Sequence, residues 1–221
     1  MKFIKSKEFG RIRNFDFILV SFPTKHNLTN LLLATVIDEI KPKLIGRMLF
    51  KDLPITIIAN KEFLAPSIDL YYKKIKNKKY LFVIGNYKPK NIEFYKKMYG
   101  VLKKGKEIIF LNEFTRKKGD LFYLRKEHRK SKFDLESIKR KFKEINNAVI
   151  RGVPSFIFEK AKKDKLNITL LFFNTNSEYL DDGFDAIDDL LGNSNINFEK
   201  IEELIKIKEE EKKINKVNYI G

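Results

Sequence analysis

The sequence predicts a doubly wound, three-layer α/β/α fold with a largely parallel sheet, an antiparallel excursion and a C-terminal helical extension. Three observations carry that prediction. Short unbroken runs of β-branched and aromatic residues, FILVSF at 17–22, YLFVIG at 80–85 and ITLLFF at 168–173, have the pattern of strands buried on both faces. Amphipathic helical patterns alternate with them, the arrangement that builds a parallel sheet covered by helices. No internal repeat and no linker-like stretch interrupts the chain, so one α/β domain is expected over 1–197, followed by a charged helix and tail over 198–221.

The first strand, 17–22, stops at Pro23. Over 27–40, Leu28, Leu31, Leu32, Thr35, Val36 and Ile40 recur near helical spacing, with Asn27 or Thr24 placed to cap the start. Three strand-like runs follow without a helix, at 44–50, 55–59 and 67–75, separated by Asp52-Leu53-Pro54 and Ala65-Pro66; these form the antiparallel excursion. Alternation resumes with a strand at 80–85, an amphipathic helix at 91–103 and a strand at 108–112. Residues 116–132 are mostly charged with one apolar break at 121–124, which predicts a surface hairpin or insertion with a basic tip. A short helix at 135–142, a strand at 148–153, a helix opened by Pro154 over 156–165 and the strand at 168–173 come next. The acidic stretch 178–189 leads into a helix bearing Phe184, Ile187, Leu190 and Leu191, with Gly192 as its stop. Last is a long charged helix at 198–215, where Glu202/Lys206 and Glu209/Lys213 stand at i,i+4 spacing. Its apolar stripe of Ile201, Leu204, Ile205 and Ile214 is thin and offers little to a core.

At 221 residues and 43% hydrophobic content, with 20 Phe and 9 Tyr, the chain can bury a substantial core and is not of disordered composition. The absence of cysteine excludes disulfides, thiol catalysis and zinc-cysteine sites and fits a reducing compartment. Charges break every short apolar run of the N-terminus, and no stretch approaches the roughly 18 apolar residues of a membrane span, so a soluble cytoplasmic protein is expected. The formal charge of +17 is concentrated: residues 71–143 hold 24 Lys and Arg against 7 Asp and Glu, and the rest of the chain holds 22 of each sign. A basic region of that size attracts an acidic partner in a salt-dependent way.

Candidate chemistry is sparse. A glycine-rich phosphate loop would lie in the turn after the first strand, where backbone amides must approach the phosphates closely. Here the turn reads Phe22-Pro23-Thr24-Lys25-His26-Asn27, without glycine, which argues against dinucleotide or Walker-type binding and for a structural turn. The only two histidines, His26 and His128, lie in unrelated segments, and His128 reads as a solvated residue of the basic tip. The carboxylates Glu178, Asp181, Asp182, Asp185, Asp188 and Asp189 lack the rhythm of a calcium loop and read as a solvated helix face, so neither metal nor cofactor is expected. Arg116, Lys117, Lys118, Arg125, Lys126, Arg129 and Lys130 form a candidate basic contact surface. The interleaved Tyr71, Tyr72, Tyr80, Tyr87, Phe94, Tyr95 and Tyr99 fall mostly where a core needs them, and no RNA-binding aromatic strand motif appears. Two alternatives stay open: a nucleoside- or phosphate-binding enzyme using Thr24, Lys25 and His26, and a nucleic-acid-binding protein using 71–143.

Several blocks taken in order resemble a known family. They are Lys43-Leu44-Ile45-Gly46-Arg47 with Asp52-Leu53-Pro54; Ile150-Arg151-Gly152-Val153-Pro154-Ser155 with Glu159-Lys160-Ala161-Lys162-Lys163 and the strand ITLLFFNT; and Tyr179-Leu180-Asp181-Asp182 with Ala186 and Leu190-Leu191-Gly192. This succession resembles the proteasome assembly chaperone family, in particular the second-chaperone branch with its archaeal and bacterial relatives, over most of 17–212. The resemblance implies a non-catalytic α/β/α protein that assembles into homo-oligomers, alone or with a paralogous subunit, and docks on α subunits of the core proteasome as assembly chaperone or ATP-independent activator. Family members carry a Gly-x-Gly-like turn after the Phe-Pro of the first strand; this chain keeps Phe22-Pro23 but not the glycines, so a small-ligand site is not expected. Some archaeal relatives resemble activators that insert a C-terminal hydrophobic-Tyr-any tripeptide into α-ring pockets. Here the end reads Val217-Asn218-Tyr219-Ile220-Gly221, with the tyrosine one place early, and these five residues are the candidate partner-binding tail.

Overall fold

The computed structural model describes residues 2–24, 26–50, 57–59, 62–64, 66–87, 92–114, 120–128, 136–145, 149–175, 179–199, 201 and 203. In chain order these build β1 (Lys2–Lys5), α1 (Lys7–Arg11), β2 (Phe15–Ser21), α2 (Leu28–Ile40), β3 (Lys43–Leu49), β4 (Ile57–Ala59), β5 (Glu62–Leu64), β6 (Ser67–Ile75), β7 (Lys78–Gly85), α3 (Ile92–Leu102), β8 (Gly105–Phe114), β9 (Phe122–Lys126), α4 (Glu136–Lys141), β10 (Lys143–Glu144), α5 (Val153–Lys163), β11 (Asn167–Asn174) and α6 (Leu180–Leu190).

Nine strands make one sheet in the order β1-β3-β6-β7-β2-β8-β11-β9-β10, and β4 pairs with β5 separately. The centre is parallel, with β2 between β7 and β8 and β8 against β11. Antiparallel pairs flank it: β6 on β7, β3 on β6 and β1 on β3 at one side, β9 on β11 at the other. The expected antiparallel excursion is therefore present, and the chain returns from it to the parallel centre through the β6–β7 hairpin.

Burial explains why the central strands read as continuous apolar runs. Ile18 and Val20 of β2 point into a cluster with Phe9 of α1, Phe94 and Met98 of α3, and Ile157 and Ala161 of α5. Phe17 and Leu19, one residue out of phase, point into the opposite cluster with Leu32 and Val36 of α2, Ile138 of α4, and Phe184 and Ile187 of α6. Successive side chains leave a strand on opposite faces, so a strand covered twice must be apolar at every position. The tyrosine-rich middle belongs to this core: Tyr80 is buried in the α2/α4/α6 cluster, Phe94 and Tyr99 are buried in the opposite one, and Tyr72, Tyr87 and Tyr95 pack against the latter.

Three expectations are corrected, and one segment to which the sequence assigned no element is structured. The segment before β2 forms β1 and α1, held by Ser6, whose hydroxyl accepts the Phe9 amide at 3.2 Å, and by the burial of Phe9. No strand occupies 149–153; the chain turns at Gly152 (φ 76) and α5 starts at Val153, with Pro154 in its first turn. The expected surface hairpin over 116–132 instead contributes β9 to the main sheet, because its short apolar break supplies Leu121 and Tyr123, both buried. Phe198 and Ile201 are buried against α6, so the beginning of the charged extension belongs to the core. Residues 204–221 lie outside those described. The helix at 180–190 ends as expected, with Gly192 in the left-handed region (φ 77).

Candidate functional site

In a sheet of this kind, ligands are held at the carboxyl ends of the parallel strands, where successive connections diverge to opposite sides. That point lies after β2: its chain leaves through α2 toward β3, whereas β7 crosses through α3 to β8 on the other side. The turn between Ser21 and Leu28 is therefore the place to look for chemistry.

The turn is already occupied by an anion from the chain itself. Glu113, near the end of β8, reaches across to the start of α2. His26 and Asn27 donate their amides to its Oε1 at 2.8 and 3.1 Å, and Leu28 and Thr29 donate theirs to Oε2 at 2.7 and 3.4 Å. These are the amides that a helix leaves without partners at its N-terminus and that phosphate-binding turns offer to a ligand. Of the two residues expected to cap α2, Asn27 sits in the left-handed region (φ 62) and makes no side-chain cap, and Thr24 Oγ1 accepts the Asn27 amide at 3.3 Å. The cap comes from a residue 85 positions away from Leu28.

Neighbouring groups at this rim are held in the same way, except that Asn30 Oδ1 is buried without a partner among the described residues. The Ser21 hydroxyl donates to Thr29 Oγ1 at 3.3 Å, Asn30 Nδ2 donates to the Gly85 carbonyl at 3.1 Å, and Asn86 Oδ1 accepts the Ser67 amide at 2.6 Å. Of the candidate ligand turn, Thr24 and His26 are half-buried and part of this arrangement, and Lys25 lies outside the described residues.

The candidate basic surface divides. Arg116, Lys117, Lys118, Arg129 and Lys130 lie outside the described residues, and Lys126 is exposed at the end of β9. Arg125 is not a surface residue: its side chain is 6% exposed and its guanidinium lies 3.3 Å from Glu107 Oε2 and 3.0 Å from Thr169 Oγ1. Asn167 Nδ2 donates to Glu107 Oε1 at 2.8 Å, and Asn167 Oδ1 accepts the His128 amide at 2.8 Å, so His128 is half-buried rather than solvated. This network sits between β8, β9 and β11 at the end of the sheet opposite the turn and pins β9 in place. Sequence gave it no marker beyond a charged residue inside an apolar run.

Four of the five carboxylates of α6 are engaged, all but Asp181. Asp185 and Asp182 hold Lys141 at 2.8 and 3.5 Å, Asp189 accepts from the Ser137 hydroxyl at 2.6 Å, and Asp188 accepts the amides of Ser194, Asn195 and Ile196 at 3.0, 3.2 and 3.3 Å. Burial opposes the charge of Lys141, but hydrogen bonding and the charges of Asp185 and Asp182 outweigh it and raise its pKa. A depression of about 350 Å³ between α4, α6 and the β6–β7 turn is lined by Ser137, Lys141 and Asp189 of this set together with Lys78, Glu136 and Arg140. Among the described residues no group of three or more His, Asp or Glu is placed to hold a metal ion. No helix among them is long and apolar enough to cross a membrane.

Comparison with known proteins rests on structure, since no protein-family model and no curated protein sequence matches the chain. The crystal structure of Pyrococcus furiosus PbaB, described as an archaeal proteasome activator, superposes with a TM-score of 0.71 over 98% of both chains at 16% identity. Pyrococcus furiosus PbaA, described as an archaeal homologue of proteasome-assembly chaperone, superposes with a TM-score of 0.68 over 95% of this chain and 93% of its own, again at 16% identity. A Mycobacterium tuberculosis proteasome-assembly chaperone homologue gives a TM-score of 0.62 at 8% identity over 93% of this chain and 96% of its own. The chain shares their α/β/α fold over nearly its whole length, and they are structures of the family that its sequence resembles.

Proposed function

We propose that this chain is a non-catalytic, proteasome-directed binding protein, an assembly chaperone or ATP-independent activator that docks on the α-ring of the core proteasome as a homo-oligomer in the cytoplasm. The observation that carries the reading is the likeness in fold along nearly the whole length to an archaeal proteasome activator and to an assembly-chaperone homologue. The Glu113 carboxylate supports the non-catalytic part. An enzyme of this architecture would offer the α2 amides to a substrate phosphate, and here four of them are spent on an internal anion.

Docking is assigned to the tail Val217-Asn218-Tyr219-Ile220-Gly221, whose terminal carboxylate pairs with a cation in an α-ring pocket while Tyr219 fills an apolar slot. One such tail is weak; several presented by an oligomer bind together with higher avidity. Deleting residues 219–221 is expected to abolish co-sedimentation with core proteasome and leave the oligomer intact. Undiminished co-sedimentation of the truncated chain would remove the tail from the mechanism, and a full-length chain that ignores core proteasome would remove the function.

A further inference from the structure

The net charge conceals a polarity that appears only when the helices are sorted by sheet face. The layer of α1, α3 and α5 holds seven Lys and Arg against three Glu within its helices; the layer of α2, α4 and α6 holds three Lys and Arg against eight Asp and Glu. The helices on the two broad faces of one chain therefore carry opposite net charge.

On the cationic face, Lys96, Lys97, Lys162 and Lys163 are exposed and make no ion pair among the described residues. Near α1, Lys104 is held below its usual pKa by burial and by the charge of Lys5, so cations crowd there as well. On the anionic face, Asp38, Glu39 and Asp181 are exposed without an ion pair among the described residues, and Asp182 and Asp185 share the single Lys141. Like charges three and four residues apart along α6 repel, and Asp188 and Asp189 in its last turn oppose the helix dipole. Apolar anchors accompany both faces at the carboxyl end of the sheet: Ile92 and Val149, 52% and 85% exposed, beside the starts of α3 and α5, and Tyr179, 44% exposed, at the start of α6.

We infer that the cationic α3/α5 face of one copy packs on the acidic α6 face of a second copy, head to tail. Charge complementarity names the occupant, since each face supplies what the other lacks and like faces repel. A head-to-tail contact uses two different surfaces, so every copy keeps one free face of each kind until a ring closes. The inference rests on the homo-oligomer of the proposed function and assigns the surfaces that build it.

The test is sedimentation velocity of the full chain at about 50 mM and about 500 mM salt, where screening differs severalfold in range. One variant carries Lys96→Glu, Lys97→Glu, Lys162→Glu and Lys163→Glu; a second carries Asp181→Lys and Asp185→Lys; circular dichroism checks that both fold. The wild type is expected to associate at low salt and dissociate at high salt, and each variant alone to sediment as a monomer. An equimolar mixture of the two is expected to recover species of two copies and larger, because the native pair of faces and the charge-reversed pair are both complementary. Should either variant unfold, the neutral sets Lys→Gln and Asp→Asn at the same positions replace it, with a smaller shift toward monomer expected. Wild-type association that neither variant changes, or a mixture that stays monomeric, overturns the face assignment and leaves the homo-oligomer standing; a wild type monomeric at both salts overturns both.

Discussion

Replacing Glu113 by alanine removes the anion that holds the start of α2 to β8, and the geometry sets the size of the effect. Four amides lose their acceptor, two of them from short contacts of 2.7 and 2.8 Å. Hydrogen bonds to a charged group contribute about 1.5–3 kcal/mol each when water cannot replace them. Here the Asn27 amide is exposed and the others are partly so, and water recovers much of that. Loss of an N-cap costs about 0.5–2 kcal/mol and loss of a favourable charge at the dipole about 0.3–1 kcal/mol, so roughly 1–3 kcal/mol is expected in all. At about 2–4 °C per kcal/mol for a chain of this length, Tm falls by about 2–12 °C in a thermal melt. The same change opens an anion site. Sulfate at about 50 mM, binding with a Kd of roughly 5 mM, restores about 1.4 kcal/mol to the variant beyond its general salting effect on the wild type at matched ionic strength. A Tm within about 1 °C of wild type, or sulfate stabilisation equal in the two proteins, refutes the reasoning.

Three further outcomes are expected. Arg125→Met leaves Glu107 buried and charged without its guanidinium and costs about 3–5 kcal/mol in urea denaturation, part of which Glu107→Gln in the same background recovers by removing the orphaned charge; two losses that simply add would show the pair is not coupled. Gly183→Ala places a Cβ 2.7 Å from Phe173 Cε1 and 2.8 Å from Leu121 Cδ1, so α6 is displaced at a cost of about 1–3 kcal/mol; a melt unchanged from wild type would mean that the helix shifts freely. Burial, with a lesser effect from the Asp16 charge, raises the Tyr80 phenol from 10.0 to about 12. Its folded-state pKa is raised, so its contribution to stability is complete below about pH 10 and is lost as pH climbs through about 12. Tyr80→Phe removes that share, giving up the 2.9 Å bond to the Leu190 carbonyl, and its unfolding free energy should fall less steeply over this range than that of the wild type. Parallel slopes would count against the shift.

The regular elements were legible wherever a physical pattern repeats along the chain. A strand such as β2 that is buried twice must be apolar at each position, and a helix such as α2 must place Leu28, Leu32 and Val36 on one side, so FILVSF and the 27–40 pattern could be read directly. Elements too short to repeat were not: β1 and α1 alternate charge with apolar residues over four and five positions, and β9 hides its sheet partners within a run of cations. The turn after β2 was read rightly as glycine-free, yet the reason that it is closed, Glu113, is 85 residues from Leu28 and looks in sequence like any other carboxylate at the end of a strand. Arg125 reads as a surface residue in the sequence because charge is solvated by default, and only the partnership with Glu107 and Thr169 allows it to be buried. Net charge belongs to composition, but its division into a cationic and an anionic face belongs to topology. The crossovers that place α3 and α5 on one side of the sheet and α2 and α6 on the other bring together residues that have no neighbourly relation along the chain. Local order thus fixed the elements, whereas the long-range pairing of strands decided which charges meet, which are buried and which face outward.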